Sequence, residues 1–243
     1  DARIVFVIPY EDNFSLVGTT DVEYEGDPSK AKISPEETTY LLDIVNDHFK
    51  RQLQPSDVVW SYSGVRPLMD GEEENAQKAS RDYTFEVNDE KGKAPLISVF
   101  GGKITTYRKL AEAATDRLCN FFERTGKRWT KTAALPGGDF DNQENLASSL
   151  KQGYPWLPDA LVRRYVRTYG TMSRSILNGC TSLKDLGQHF LGTLYEREVN
   201  YLVQNEWAIT SEDILWRRTK QGLYATAVEI DSLQAYLKGS TRL

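Results

Sequence analysis

The sequence predicts an α+β region followed by an all-helical region. Two β-hairpin patterns and a strand–glycine–helix pattern lie in the first part, whereas only helical spacing follows a break rich in Gly and Pro at residues 135–139. We therefore predict two domains, an α+β domain over residues 1–132 and an all-α C-terminal domain over residues 133–243.

The first hairpin pattern covers Arg3–Pro9 and Phe14–Thr19, two runs rich in β-branched residues around a turn with Asp and Asn. It places the polar residues Thr19, Thr20 and Asp21 at a strand end. Short polar side chains there can bind a ligand or bond to the backbone in a turn, and the sequence leaves both open.

A helix is predicted from Ser34 to about Lys50, with Ser34 as the N-cap, Pro35 at the first helical position and Glu37 completing a capping box. Val58–Arg66 then alternates apolar and polar residues, which predicts a half-buried strand that ends at an arginine followed by proline. A second hairpin pattern joins Asp82–Val87 to the strand that begins at Leu96.

The stretch from Leu96 to Leu110 carries the strongest local pattern. An apolar run predicts a buried strand, Gly101 and Gly102 follow it, and apolar residues then recur at helical intervals to about Phe122. The free N–H groups at the start of such a helix, beside Lys103, can hold an anion or a ring that accumulates negative charge. The alternative is a glycine pair that only turns the chain.

The helical part shows five segments of apolar periodicity or capping residues. They begin at Asp141 (to about Gln152), Pro158, Leu194 (to Trp207), Thr210 (to Lys220) and Glu229 (to Lys238).

Three cations, Arg66, Arg81 and Lys103, follow or flank predicted strand ends, where neighbouring strands can bring them together around a small anion. The alternative is three unrelated surface cations, and spacing does not decide between the two.

Composition and residue spacing argue against several classes of protein. A net charge of −5 argues against nucleic acid as the main partner, and no apolar run reaches the roughly 20 residues that span a bilayer. Cys119 and Cys180 match no metal-ligand spacing, so no metal site is predicted. The strand pattern already present at Arg3 leads us to expect a piece of a longer protein.

Four blocks of the chain resemble the second half of the FAD-dependent, aerobic glycerol-3-phosphate dehydrogenases. They are Gly18–Asp21, Tyr62–Leu68, Ser80–Tyr83 and, most specifically, Phe100–Arg108, which reads Phe-Gly-Gly-Lys-Ile-Thr-Thr-Tyr-Arg. The resemblance continues through Leu135–Gly138 and Asp213–Thr219, and so covers essentially the whole chain.

The resemblance implies an FAD- and substrate-binding α/β body, of which residues 1–132 form part, followed by the helical domain. It also implies oxidation of sn-glycerol 3-phosphate to dihydroxyacetone phosphate, with electrons passing from FAD to quinone. The implied cofactor-binding residues are Gly101, Gly102, Lys103, Ile104 and Thr105.

The resemblance further implies that Arg66 contacts the reacting hydroxyl as the catalytic residue. Arg81 and Lys103 would hold the phosphate, and Thr19 would line the pocket.

The chain departs from the family pattern because it contains no Gly-x-Gly-x-x-Gly fingerprint for the FAD pyrophosphate. We therefore expect these residues alone to lack FAD and activity. Two alternatives remain: an α-glycerophosphate oxidase that uses oxygen, and a non-catalytic interaction module built on the helical part.

Quinone is a membrane solute, so a cytoplasmic protein peripheral on the inner face of the cytoplasmic membrane is the expected location. The basic clusters at residues 163–167 and 217–220 are candidates for contact with anionic lipid, and a homodimer stays open.

Overall fold

The computed structural model describes residues 4–66, 82–123 and 125–240. The chain divides into two compact units, Asp1–Ala133 and Ala134–Leu243. The first mixes hairpins with helices and the second is mainly helical, so the predicted fold class is confirmed.

The first unit begins with the antiparallel hairpin of β1 (Phe6–Tyr10) and β2 (Phe14–Gly18), in which Ile8 faces Leu16. Helix α1 (Pro35–His48) follows and carries the predicted capping box. The Ser34 hydroxyl accepts the Glu37 N–H at 3.1 Å, and the Glu37 carboxylate accepts the Ser34 N–H at 2.9 Å. The predicted start of this helix is confirmed.

A second antiparallel hairpin pairs β3 (Thr84–Asn88) with β4 (Leu96–Phe100). Helix α2 (Tyr107–Cys119) follows it. The hairpin and the helix are confirmed, but the expected burial of β4 is wrong. Leu96 is 62% exposed, because among the described residues the sheet has only these two strands.

The strand predicted over Val58–Arg66 is also wrong. These residues are irregular and exposed, and Val59 is 60% accessible to solvent. Alternating hydrophobicity indicates which face of a strand would be buried, but a strand also needs a neighbour for its backbone N–H and C=O groups. Within the described ranges no strand pairs with this segment.

The second unit packs its helices around one continuous apolar core. Its helices are α3 (Gln143–Gly153), α4 (Asp159–Tyr169), the short α5 (Ser173–Ile176), α6 (Glu196–Asn205) and α7 (Ala227–Ser240), with a π-helical segment at Asp213–Arg218.

A hairpin that the sequence did not predict, β5 (His189–Leu191) with β6 (Leu194–Tyr195), precedes α6. Its strands are too short to show an alternating pattern. Across the described part of the chain, no helix combines the length and the apolar character needed to cross a bilayer.

Candidate functional site

The double-glycine turn between β4 and α2 has a backbone that other residues adopt only with strain. Gly101 and Gly102 have φ angles of +74° and +103°. A β-carbon on Gly101 would also lie 2.8 Å from the carbonyl oxygen of Asp82. Both the conformation and the close approach therefore require glycine at this turn.

The start of the following helix is open to solvent. Lys103 caps a 3₁₀ turn over Ile104–Thr106 that continues directly into α2, and residues 101–105 are all exposed. The first N–H groups of such a turn have no partner within it. The turn therefore presents donors and the positive end of a helix dipole, which is an arrangement that suits an electron-rich ligand edge.

Lys103 adds a positive charge at this position. Its ammonium group lies 3.9 Å from the Asp82 carboxylate, and its side chain is 49% exposed. The Thr106 hydroxyl donates to the Lys103 carbonyl oxygen at 3.0 Å and so braces the turn. The residues expected to bind the cofactor thus form one accessible surface, and its role stays a prediction.

Arg66 lies beside the segment that follows β2. Its Nη2 donates to Oδ2 of Asp21 at 2.8 Å, although the two residues are 45 positions apart. Both side chains are partly exposed. The structure therefore joins two of the predicted site segments, Arg66 and the polar stretch at Thr19–Asp21.

The neighbouring Thr20 is held by a hydrogen bond to helix α1. Its hydroxyl donates to Oε1 of Glu37 at 2.5 Å, at the start of α1. This hydrogen bond and the Ser34 N–H lower the pKa of the Glu37 carboxyl.

Thr19, the predicted pocket residue, is exposed at the end of β2. Arg81, the third predicted cation, lies outside the described residues. The predicted convergence of Arg66, Arg81 and Lys103 stays a prediction.

In the basic cluster at residues 163–167, a candidate for lipid contact, Arg163 and Arg167 are exposed but Arg164 is buried. Arg164 is only 6% exposed and forms two hydrogen bonds to the buried Glu198 carboxylate, Nη1 to Oε1 at 2.6 Å and Nη2 to Oε2 at 2.5 Å. The Tyr169 hydroxyl also donates to Glu198, at 2.5 Å. Arg164 is therefore unavailable to a surface ligand.

In the second basic cluster, at residues 217–220, both arginines lie close to acidic side chains. Arg217 pairs with Glu212 at 3.0 Å and with Asp213 at 3.1 Å. Arg218 lies 3.7 Å from the same Asp213 carboxylate and donates to the Glu206 carbonyl oxygen. These pairs lower the net positive charge that this surface can offer to an anionic membrane.

Sequence reasoning missed the buried Arg164–Glu198 pair. A signal for it exists, since Arg164 lies three residues after Leu161 and Glu198 four residues before Leu202, on the apolar stripes of α4 and α6. A cation and an anion on two apolar helix faces indicate a buried pair. Within the described ranges, no three His, Cys, Asp or Glu residues form a group that could hold a metal.

Comparison with known proteins defines the class of this chain. Residues 1–108 match the family model described as FAD dependent oxidoreductase, and residues 128–238 match the C-terminal domain of alpha-glycerophosphate oxidase. These two matches include the double-glycine turn, Arg66 and the whole helical core.

Individual relatives define the class of protein more narrowly. The chain is 50% identical to the aerobic glycerol-3-phosphate dehydrogenase of Escherichia coli and 50% identical to the glycerol-3-phosphate dehydrogenase of Pseudomonas aeruginosa, over 98% of its own length in each case. It is 47% identical, over 94% of its length, to the D-erythritol 1-phosphate dehydrogenase of Brucella abortus. The chain therefore belongs to the family of FAD-dependent glycerol-3-phosphate dehydrogenases, and the resemblance found in the sequence is confirmed.

The chain spans about half the length of these curated relatives, with 48%, 47% and 46% of their sequences covered.

Proposed function

We propose that this chain forms the substrate-side and C-terminal part of an enzyme that oxidises sn-glycerol 3-phosphate to dihydroxyacetone phosphate with FAD, passing electrons to quinone. The observation that carries the proposal is the open double-glycine turn, where exposed amides and Lys103 face solvent within the segment matched by the FAD dependent oxidoreductase model.

When bound, FAD would supply the two-electron acceptor for oxidation of the C2 hydroxyl of the substrate. The electron-rich edge of the flavin ring would be held by Gly101, Gly102, Lys103, Ile104 and Thr105, because amide donors and an ammonium group stabilise negative charge there. Their exposure and positive φ angles are compatible with a ring that approaches the backbone closely.

Arg66 contacts the C2 hydroxyl, Lys103 and Arg81 bind the phosphate, and Thr19 lines the pocket. A guanidinium is suited to this work because its planar donors fix an oxygen in direction as well as distance. The two-domain assignment, with binding in residues 1–132 and a helical domain at residues 133–243, belongs to the same proposal.

The chain has no pyrophosphate fingerprint, so we propose that FAD binding and turnover need an additional segment that carries one, and that these 243 residues alone are inactive. Attachment to the inner face of the cytoplasmic membrane would follow from quinone as acceptor.

The test is Arg66→Ala in an enzyme of full length, with the additional segment present. Because the variant loses an oriented contact to the reacting group, we expect kcat/KM for sn-glycerol 3-phosphate to fall by about a hundredfold or more. The matched control is Arg51→Ala, which removes another exposed arginine paired with an aspartate in the same unit. Unchanged kinetics in Arg66→Ala would favour the non-catalytic module instead.

An α-glycerophosphate oxidase is the second candidate, favoured by the description of the model that matches residues 128–238. The two differ in the acceptor, so the ratio of peroxide formed to quinone reduced, measured with the full-length enzyme, decides between them. A yield near one peroxide per substrate oxidised would exclude the quinone proposal.

A further inference from the structure

The ion pair between Arg66 and Asp21 joins two parts of the chain that are far apart in sequence. Asp21 bonds through one oxygen to Nη2, one end of the planar guanidinium. Among the described residues, none accepts a hydrogen bond from Nη1 or Nε of Arg66. The guanidinium is therefore held at one edge while its other donors can face a ligand.

Asp21 itself lies on a segment that is fixed in place. The adjacent Thr20 donates to Glu37 at 2.5 Å, and Glu37 is held by the capping box with Ser34. Helix α1 is anchored in turn by Leu41 and Val45, which are 8% and 5% exposed. A continuous set of contacts thus runs from the buried face of α1, through Glu37 and Thr20, to the residue that holds Arg66.

We propose that Asp21 is a positioning residue for Arg66, which it orients toward the substrate hydroxyl, and that Glu37 maintains this position through Thr20. The inference rests on the proposed function, because it assigns Asp21 a role through Arg66. A long arginine side chain has many rotamers, and an enzyme that needs it in one of them gains from a partner that restricts it before the substrate arrives.

The alternative is an ordinary surface ion pair of little consequence, since partly exposed pairs usually contribute little to stability. The chain offers a matched example of such a pair. Arg51 and Asp57 lie 3.2 Å apart, and the aspartate is 34% exposed, compared with 35% for Asp21. The two pairs match at the aspartate, whereas the Arg51 side chain is 79% exposed and that of Arg66 44%. A positioning role predicts that these two similar pairs respond very differently to the same substitution.

The experiment uses the full-length enzyme and measures the rate of flavin reduction by sn-glycerol 3-phosphate in a single anaerobic turnover. The variants are Asp21→Ala, Arg66→Ala, both together, Asp21→Glu, and Asp57→Ala as the control. We expect Asp21→Ala to lower the rate at saturating substrate by about tenfold or more, and Asp57→Ala to change it less than about twofold.

The double variant separates positioning from general stability. If Asp21 acts through Arg66, adding Asp21→Ala to Arg66→Ala causes no further loss of rate, because the group being positioned is already absent. Asp21→Glu, which keeps a carboxylate, should recover part of the rate. If Asp21→Ala lowers the rate of flavin reduction by the same factor in the parent enzyme and in Arg66→Ala, the inference is overturned and Asp21 has a structural role.

A failure of the inference is distinguishable from a failure of the proposed function. If the parent enzyme shows no flavin reduction by sn-glycerol 3-phosphate, the proposed function is wrong. If the parent is active and Arg66→Ala is impaired while Asp21→Ala matches the parent, only the positioning role is wrong. Should Asp21→Ala fail to fold, Asp21→Asn takes its place in the same comparison, and a rate equal to that of the parent overturns the inference.

Discussion

The two units differ most in how much apolar surface they bury. Of the described apolar residues, two in the first unit are buried, Leu41 and Val45, whereas the second unit buries 22 around its helices. The first unit leaves large apolar side chains in solvent, among them Ile4 at 72% and Leu96 at 62% exposure.

From this difference we expect the second unit to fold by itself and the first unit not to. Burial of apolar surface is the main favourable contribution to folding, and the first unit, with two buried apolar residues among those described, gains little of it. The exposed apolar side chains on the hairpins of the first unit are typical of surfaces that pack against other protein. The predicted binding residues lie in the weakly packed unit, and the described helical unit supplies a stable core.

The strongest test of this comparison is to express the units separately. We expect residues 134–243 to unfold cooperatively in urea, with a free energy of unfolding of at least about 5 kcal/mol, as is usual for a domain with a continuous core. Residues 1–133 should show no cooperative transition. Circular dichroism and intrinsic fluorescence, followed through the same titration, check both expectations. A sharp transition in residues 1–133 would show that the contrast in burial does not determine independent folding.

The second test concerns the polar centre of the helical core. Arg164→Met leaves the Glu198 carboxylate buried without its cation, and we expect the free energy of unfolding of residues 134–243 to fall by about 3–5 kcal/mol. Burial works against the charged form of Arg164, but the Glu198 carboxylate overcomes it and holds the pKa of the guanidinium above its ordinary value.

The control for this test is Arg217→Met, which removes the pairs that this half-exposed arginine forms with Glu212 and Asp213 and should lower the free energy of unfolding by less than about 1 kcal/mol. Urea titrations of both variants provide the comparison. If the free energy of unfolding falls equally in Arg164→Met and Arg217→Met, burial does not determine how much these ion pairs contribute to stability.

The smallest effect is expected at Asp213, which is the first residue of the π-helical segment. Burial raises the pKa of its carboxyl, but hydrogen bonds from the Thr210 and Ile209 N–H groups outweigh this and lower it from 3.8 to about 2. A group with a lowered pKa in the folded state stabilises the protein above its unfolded pKa, and this contribution is lost as the pH falls toward 2.

We therefore expect Asp213→Ala to destabilise residues 134–243 by about 1 kcal/mol at pH 7. The difference in free energy of unfolding between Asp213→Ala and the parent should become smaller between pH 4 and pH 2. Urea titrations at several pH values measure it. A difference that stays constant down to pH 2 would show that the Asp213 charge contributes nothing.

Local patterns predicted the local structures. The capping box at Ser34 and Glu37, the two hairpins of the first unit and the helices after residue 140 depend on neighbours within a few positions, which the sequence displays directly. The helix α3 begins at Gln143 with Asn142 as its cap, one residue beyond the predicted Asp141. Family membership also followed from a contiguous block, Phe100–Arg108.

What the sequence determined by itself was therefore short-range: the capping box of α1, the two hairpins of the first unit, the double-glycine turn and the apolar stripes of the helices. The tertiary structure alone decided which polar groups meet. Asp21 reaches Arg66 across 45 positions, and Arg164 lies within the core beside Glu198, 34 positions away. Such pairs depend on how separate elements pack, and packing is set by the shape and burial of many side chains together, which no local spacing records.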